Sequence, residues 1–328
     1  MPDDALRTTI TGIDLRNPVL LAAGTCGTLD EMADVLDLSR VGGLVNKSIT
    51  AAPREGNPPW RVFPMAVGML NAIGLANVGV DEFVERFGPR VSSVPATVIA
   101  SVAGFSIEDY VRVAGALGEV PGVRAVELNV SCPNVHGGVE FGVDARALAD
   151  LVRHVRAALP RTPLWVKLPP VALGTVGIVD LARAAIEGGT GKPGAQAAGP
   201  DNRPGADALC LCNTTPAMAI DVRTRKPILA NVTGGLSGPA VHPIVVRLIH
   251  LAYTKIAKAT RTPIIGIGGV LRWQDAAEFI LAGADAIEMG TALLADPRSP
   301  LRIVRGLEKW CTSQGAPRLA DLVGQAAA

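Results

Sequence analysis

Aromatic residues are scarce in this chain, at 4% of 328 positions, and the formal net charge is only +1 with no long run of Lys or Arg. The chain therefore offers neither a base-stacking platform nor a basic track, and no nucleic acid partner is expected. No apolar stretch approaches the ~20 residues that cross a bilayer, so no membrane span is expected. The opening MPDDALRTT is short and acidic, unlike a secretory signal. Five cysteines at irregular spacing make no disulfide framework, which fits a reducing cytoplasm. The four histidines, His136, His154, His242 and His250, lack ligand spacing, and no metal is expected. A GxGxxG dinucleotide fingerprint is also missing.

What is present is a regular alternation. Short apolar runs at 18–23, 43–47, 96–101, 125–129, 164–168, 208–212, 263–267 and 285–289 read as buried strands. Helical segments are expected at 30–38, 80–87, 106–117, 144–159, 176–188, 239–258, 273–282 and 300–314. Asp30 and Ser106 are candidate caps. Eight strands alternating with helices predict a (β/α)8 barrel in one domain over 1–328. Residues 50–79 and 214–238 are long irregular excursions, and loops of that length usually have a function. Residues 189–205 form a polar insertion without apolar periodicity.

The chemistry collects at strand ends. Residues 127–134 read ELNVSCPN, an apolar run with one carboxylate that stops at Pro133. The thiol of Cys132 and the carboxamides of Asn129 and Asn134 then fall at the catalytic face of a barrel, before a glycine-rich loop. A cysteine suitably placed can take a proton from carbon, and carboxamides suit a planar ring bearing carbonyls and N–H groups. An inert buried cysteine beside turn-forming asparagines is the plain alternative. TGGLSG (233–238), GIGG (266–269) and MGT (289–291) can bring backbone N–H groups close to a phosphate, or are ordinary tight turns. Lys47 and Lys167 end otherwise apolar strands. Each is costly to bury unless paired, and could stabilise anionic charge at the mouth or snorkel to solvent.

Taken together and in order, NVSCPN (129–134), MLNAIGL (69–75), VKLPP (166–170), CNT (212–214), RKPILANVTGGLSGPA (225–240) and the GIGG/MGT pair resemble a dihydroorotate dehydrogenase of the flavin-barrel type over nearly the whole chain. MLNAIGL and the 225–240 run look like the NAD-linked two-subunit class, whereas VKLPP is closer to the single-subunit fumarate class. The resemblance implies oxidation of dihydroorotate to orotate in pyrimidine synthesis, with FMN as cofactor. Cys132 would remove the C5 proton, and hydride would pass from C6 to the flavin. Lys47, Asn71, Ala72, Ile73, Gly74, Leu75, Asn129, Asn134, Asn213 and Thr214 would hold the substrate. Ala23, Lys47, Ser48, Ser101, Asn129, Lys167, Cys212, Gly238, Gly268, Gly269, Gly290 and Thr291 would hold FMN, with Lys167 at its N1/O2 edge.

Ala23 and Ser101 depart from the family pattern, which has Ser and Asn at these places. Each change removes or shortens a flavin hydrogen bond of ~1 kcal/mol. The resemblance further implies a homodimeric core and, for the NAD-linked class, a partner subunit carrying FAD and an iron–sulfur cluster. This chain has no four-cysteine cluster motif of its own. Alternatives are fumarate as acceptor in a homodimer, a dihydropyrimidine dehydrogenase-like activity, and a non-catalytic paralogue.

Overall fold

A computed structural model describes residues 5–131, 141–170, 176–188 and 204–327. All eight predicted strands form: β1 (Val19–Leu21), β2 (Gly43–Val45), β3 (Thr97–Val102), β4 (Val123–Asn129), β5 (Leu164–Leu168), β6 (Ala208–Leu211), β7 (Ile264–Ile267) and β8 (Ala286–Met289). They pair in parallel and in sequence order, and β8 pairs β1, so the barrel closes. Successive strand residues face opposite sides. Leu20, Val45, Ile99, Ala125, Trp165, Ala208, Cys210, Ile265 and Ala286 therefore fill the interior. Their neighbours Val19, Leu21, Leu44, Val126, Val166 and Ile287 pack outward in the helix layer.

Helices Ile107–Gly118, Ala145–Ala158, Ile178–Glu187, His242–Ala252, Trp273–Ala282 and Ser299–Ser313 supply that layer. The Ser106 hydroxyl accepts from Asp109 N, as a cap should, and Asp144 caps the next helix through Arg146 N and Ala147 N. A buried ion pair anchors this second helix to the barrel. Arg156 Nη1 donates to Asp207 Oδ2 at 2.6 Å, and the same oxygen accepts from Leu164 N at the start of β5.

Two expectations need correction. Residues 30–38 form no regular helix, only 3-10 turns at Glu31–Asp34 and Leu38–Arg40. None of residues 31–34 is buried, so no apolar face holds a longer helix. Asp30 caps nothing and pairs with Arg90, and Asp37 caps the second turn instead. Second, the excursions are not irregular. Val62–Met65, Gly68–Asn71, Thr215–Ala217 and Gly234–Ser237 join as a four-stranded antiparallel cap, beside a small hairpin of Ile220–Asp221 with Lys226–Pro227. The N-terminal segment, for which the sequence made no forecast, is ordered as well. Thr8–Ile10 and Ile13–Leu15 form a hairpin whose Ile10, Ile13 and Leu15 join the interior cluster. Thr11 and Gly12 make its turn at φ 51° and 76°, and Thr11 Oγ1 accepts from Trp165 Nε1 at 3.0 Å. The hairpin so plugs the N-terminal end of the barrel.

Candidate active site

The opposite end, where the strands point their C-termini, carries a chain of polar contacts. Ser48 Oγ and Ser101 Oγ lie 2.8 Å apart, and Asn129 Nδ2 reaches Ser48 Oγ at 3.4 Å. Asn213 Nδ2 donates to Asn129 Oδ1 at 3.1 Å, and Asn213 Oδ1 accepts from Thr214 N at 2.7 Å. Thr214 packs so closely on Gly235 that a Cβ there would lie 1.9 Å from its hydroxyl. Asn71 Nδ2 completes the run, donating to Gly235 O at 3.2 Å. Residues from β2, β3, β4, β6 and the cap thus meet over one end of the barrel. Asn46 Nδ2 and Ser131 Oγ, buried beside this network, have no partner among the described residues. Buried polar atoms are seldom left so, and they leave donors for a polar ligand.

Ser101 has no exposed surface and its hydroxyl is spent on Ser48, so it reaches the mouth only through that partner. Lys47 Nζ stands 3.8 Å from where a Cβ on Gly24 would be, beside the end of β1 and half-buried Ala23. Ala72, Ile73, Gly74 and Leu75 follow the cap strand as half-buried loop residues, with Gly74 and Leu75 at positive φ. Cys210 and Cys212 do not share a wall as their spacing suggests. The strand stops at Leu211; Cys210 packs in the interior cluster and Cys212 in the outer one, with its N–H given to Ile267 O. Cys132 and Asn134 lie outside the described residues.

The glycine turns converge beyond β7 and β8. A Cβ on Gly269 would come 2.7 Å from Gly238 O, and one on Gly238 would come 2.7 Å from Gly68 Cα. Gly268 is equally closed, at 2.7 Å from Val245 Cγ2. Both Gly238 and Gly269 hold positive φ, so side chains are barred twice over. Thr291 Oγ1 donates to Ser237 Oγ at 2.8 Å, joining the turn after β8 to the cap, and a Cβ on Gly290 would make ordinary contacts with Ala22 and Thr25. This is a cradle of backbone and hydroxyl groups of the kind that receives phosphate.

Beneath the mouth sits a group the sequence reading passed over. Lys167 Nζ lies 3.5 Å from Glu127 Oε1 and 3.3 Å from Glu288 Oε2, with both carboxylates fully enclosed. Burial alone would push the ammonium down, but the two glutamates outweigh it and hold its pKa above the ordinary lysine range. Burial, and then the charge on Glu127, push Glu288 up to about 8. One ligand atom from each of Glu127, Cys210 and Glu288 falls within 4.8 Å of the others. That geometry could suit a metal, but the Lys167 ammonium already bonds both carboxylates. The signal for these residues was a carboxylate inside each of two apolar strands.

The sequence profile described as dihydroorotate dehydrogenase matches residues 5–188 and 192–310. The chain belongs to the dihydroorotate dehydrogenase family. The gap in the match, 189–191, falls in the polar insertion. A relative from Bacteroides thetaiotaomicron, named dihydroorotate dehydrogenase B (NAD(+)), catalytic subunit, is 41% identical over 97% of this chain and 98% of its own. One from Desulforudis audaxviator with the same name is 44% identical, over 97% and 96%. A Solibacter usitatus relative named putative dihydroorotate dehydrogenase A (fumarate) is also 44% identical, over 97% of both chains. The crystal structure of the Eimeria tenella dihydroorotate dehydrogenase in complex with ferulenol superposes with a TM-score of 0.78, covering 99% of this chain and 89% of that one, at 22% identity. That last likeness speaks for the barrel. Among the described residues of this family member, no helix is long and apolar enough to cross a membrane.

Proposed function

We propose that this chain oxidises dihydroorotate to orotate with FMN, whose ring Lys167 would support and whose phosphate Gly238, Gly268, Gly269, Gly290 and Thr291 would hold. The observation that carries the reading is the convergence of Ser48, Asn129, Asn213 and Thr214 over a buried lysine, beside a glycine cradle at β7 and β8. Bound FMN supplies the acceptor for the hydride leaving C6 of the substrate. The remaining work belongs to side chains. Asn71, Asn129, Asn134, Asn213 and Thr214 hold the pyrimidine by its carbonyls and N–H groups, and Lys47 meets its anionic charge. Cys132 takes the C5 proton, so that loss of one hydride and one proton leaves the C5=C6 double bond of orotate. Lys167 would offset the negative charge that reduction adds to the flavin, and Ser48 presents a hydroxyl bonded to that of Ser101.

The electrons leave through a partner. The relatives named catalytic subunits of an NAD(+) enzyme support this, and a partner carrying FAD and an iron–sulfur cluster fits a chain with no four-cysteine motif of its own. The cap leaves Trp60 74% exposed and Val222 85% exposed, with Val62, Met65, Val67, Met218 and Ile220 also outward, an apolar surface that fits a second copy or the partner. Fumarate as direct acceptor is the second reading, favoured by the Solibacter relative's name.

Dihydroorotate added without oxygen to the purified protein tests the reading. Bleaching of the flavin band near ~450 nm is expected. A yellow protein that does not bleach would show that its substrate is something else. A colourless protein that FMN cannot reconstitute would overturn the proposal. Turnover of the isolated chain with fumarate, and none with NAD, would replace the first acceptor by the second.

A further inference from the structure

Two carboxylates and one ammonium are sealed together inside the barrel, and their charges do not balance. Glu127 is fully buried, Glu288 is 1% exposed and Lys167 5% exposed. Lys167 Nζ bonds one oxygen of each glutamate. The other oxygens, Glu127 Oε2 and Glu288 Oε1, are buried with no partner among the described residues. Around them stand Leu20, Val45, Ile99, Trp165 and Ile265. Two ionised carboxylates less than 5 Å apart in such surroundings repel strongly, and one ammonium offsets one of them. A proton removes the excess charge and supplies a donor for an orphaned oxygen.

We propose that Glu127 and Glu288 hold one proton between them, and that this makes Glu288 a positioning residue that sets the net charge Lys167 presents to the cofactor. With the proton the cluster is neutral. Without it the cluster is an anion beneath the site where reduction adds another negative charge. Among the described residues, the titratable groups that feel the pair include Lys167 from β5, the Cys210 thiol from β6 and the Cys26 thiol from the turn after β1. Burial keeps both thiols neutral, Cys26 being pushed up to about 12. The shared proton therefore belongs to the carboxylate pair, consistent with burial and then the Glu127 charge raising Glu288 to about 8. Reduction of the cofactor, by adding charge above Lys167, draws a further proton from solvent onto the pair wherever the pair has lost its own. Nothing but a proton moves in this step.

The inference rests on the FMN reading for its effect, but the shared proton stands apart from it and can be read separately. The infrared carboxylic-acid C=O band of the purified protein, marked by its shift in D2O, should be present at pH 7.5, where Asp285, raised by burial to about 6, is ionised. Glu288→Gln should lose it. Glu127→Gln should lose it too, because the remaining carboxylate is then balanced by Lys167. Retention of the band in both variants, or its absence in the wild type, overturns the shared proton. The second readout is the flavin midpoint potential. Above pH 8 the wild type should fall with pH more steeply than Glu288→Gln by one proton per two electrons, about 30 mV per pH unit. Parallel slopes overturn the link to the cofactor. Failure to bind FMN would instead count against the proposed function, and the infrared result would still decide the proton.

Discussion

Replacing Lys167 by Met would remove the cation from the cluster and leave two enclosed carboxyls facing each other. Breaking a buried ion pair from one side costs about 3–5 kcal/mol. The structure says how that cost depends on pH. In the wild type the pair holds one proton up to about pH 8, where Glu288 titrates. In the variant no ammonium balances the second carboxylate, so the folded state takes up one proton more. The unfolded state ionises both glutamates above ~4.3. Carboxyls whose folded pKa is raised contribute their full stability below the unfolded pKa and lose it as pH rises toward the folded one. The extra proton therefore steepens the decline by about 1.4 kcal/mol per pH unit. Between pH 5 and pH 8 the deficit of Lys167→Met against wild type should grow by roughly 4 kcal/mol, within the range for a broken pair. Urea unfolding of both proteins at the two pH values measures it. A deficit equal at pH 5 and pH 8 would mean that only packing was lost, and would refute the electrostatic reading of the cluster.

Asp207→Ala removes the partner of Arg156 and the acceptor of Leu164 N, and should cost about 3–5 kcal/mol in the same unfolding assay at pH 7. Gly269→Ala drives a methyl within 2.7 Å of Gly238 O at φ 74°, so FMN affinity should fall at least about tenfold in a fluorescence titration, one such step being ~1.4 kcal/mol. Ser101→Ala frees the Ser48 hydroxyl at a stability cost of about 1 kcal/mol, and FMN affinity should change by less than about fivefold, well under that conversion's tenfold step. Cys132→Ala should bind FMN as the wild type does and bleach with dihydroorotate at least ~100-fold more slowly, as loss of a general base requires; stopped-flow absorbance checks it.

The barrel was legible because its strands are short apolar runs set between glycine and proline, and burial on both faces leaves such runs little else to become. Lys47, Asn129, Lys167 and Asn213 were legible as the ends of barrel strands, whereas Ser48 was named only through the family resemblance. The cap was not legible. Its strands are two to four residues long, rich in Gly and half exposed, so neither alternation nor apolar length marks them. The turn at 31–40 misled because its first four residues bury no side chain, and Leu36 and Leu38, the two that are buried, are too close in sequence to make a helical face. Glu127 and Glu288 were visible as letters, but their meeting depends on β4 and β8 facing each other across the barrel, which one sequence does not display. The insertion at 189–205 is described only from Pro204, which packs against Gly188.

The N-terminal hairpin has a consequence for kinetics. By filling the lower end with Ile10, Ile13 and Leu15, and bolting itself to Trp165, it turns the barrel from a tube into a well. Among the described residues, the open side of the glutamate pair is then the mouth, past whatever occupies it. A flavin seated there would act as a stopper, so that protons equilibrate with the interior at the pace of its breathing and departure rather than of diffusion.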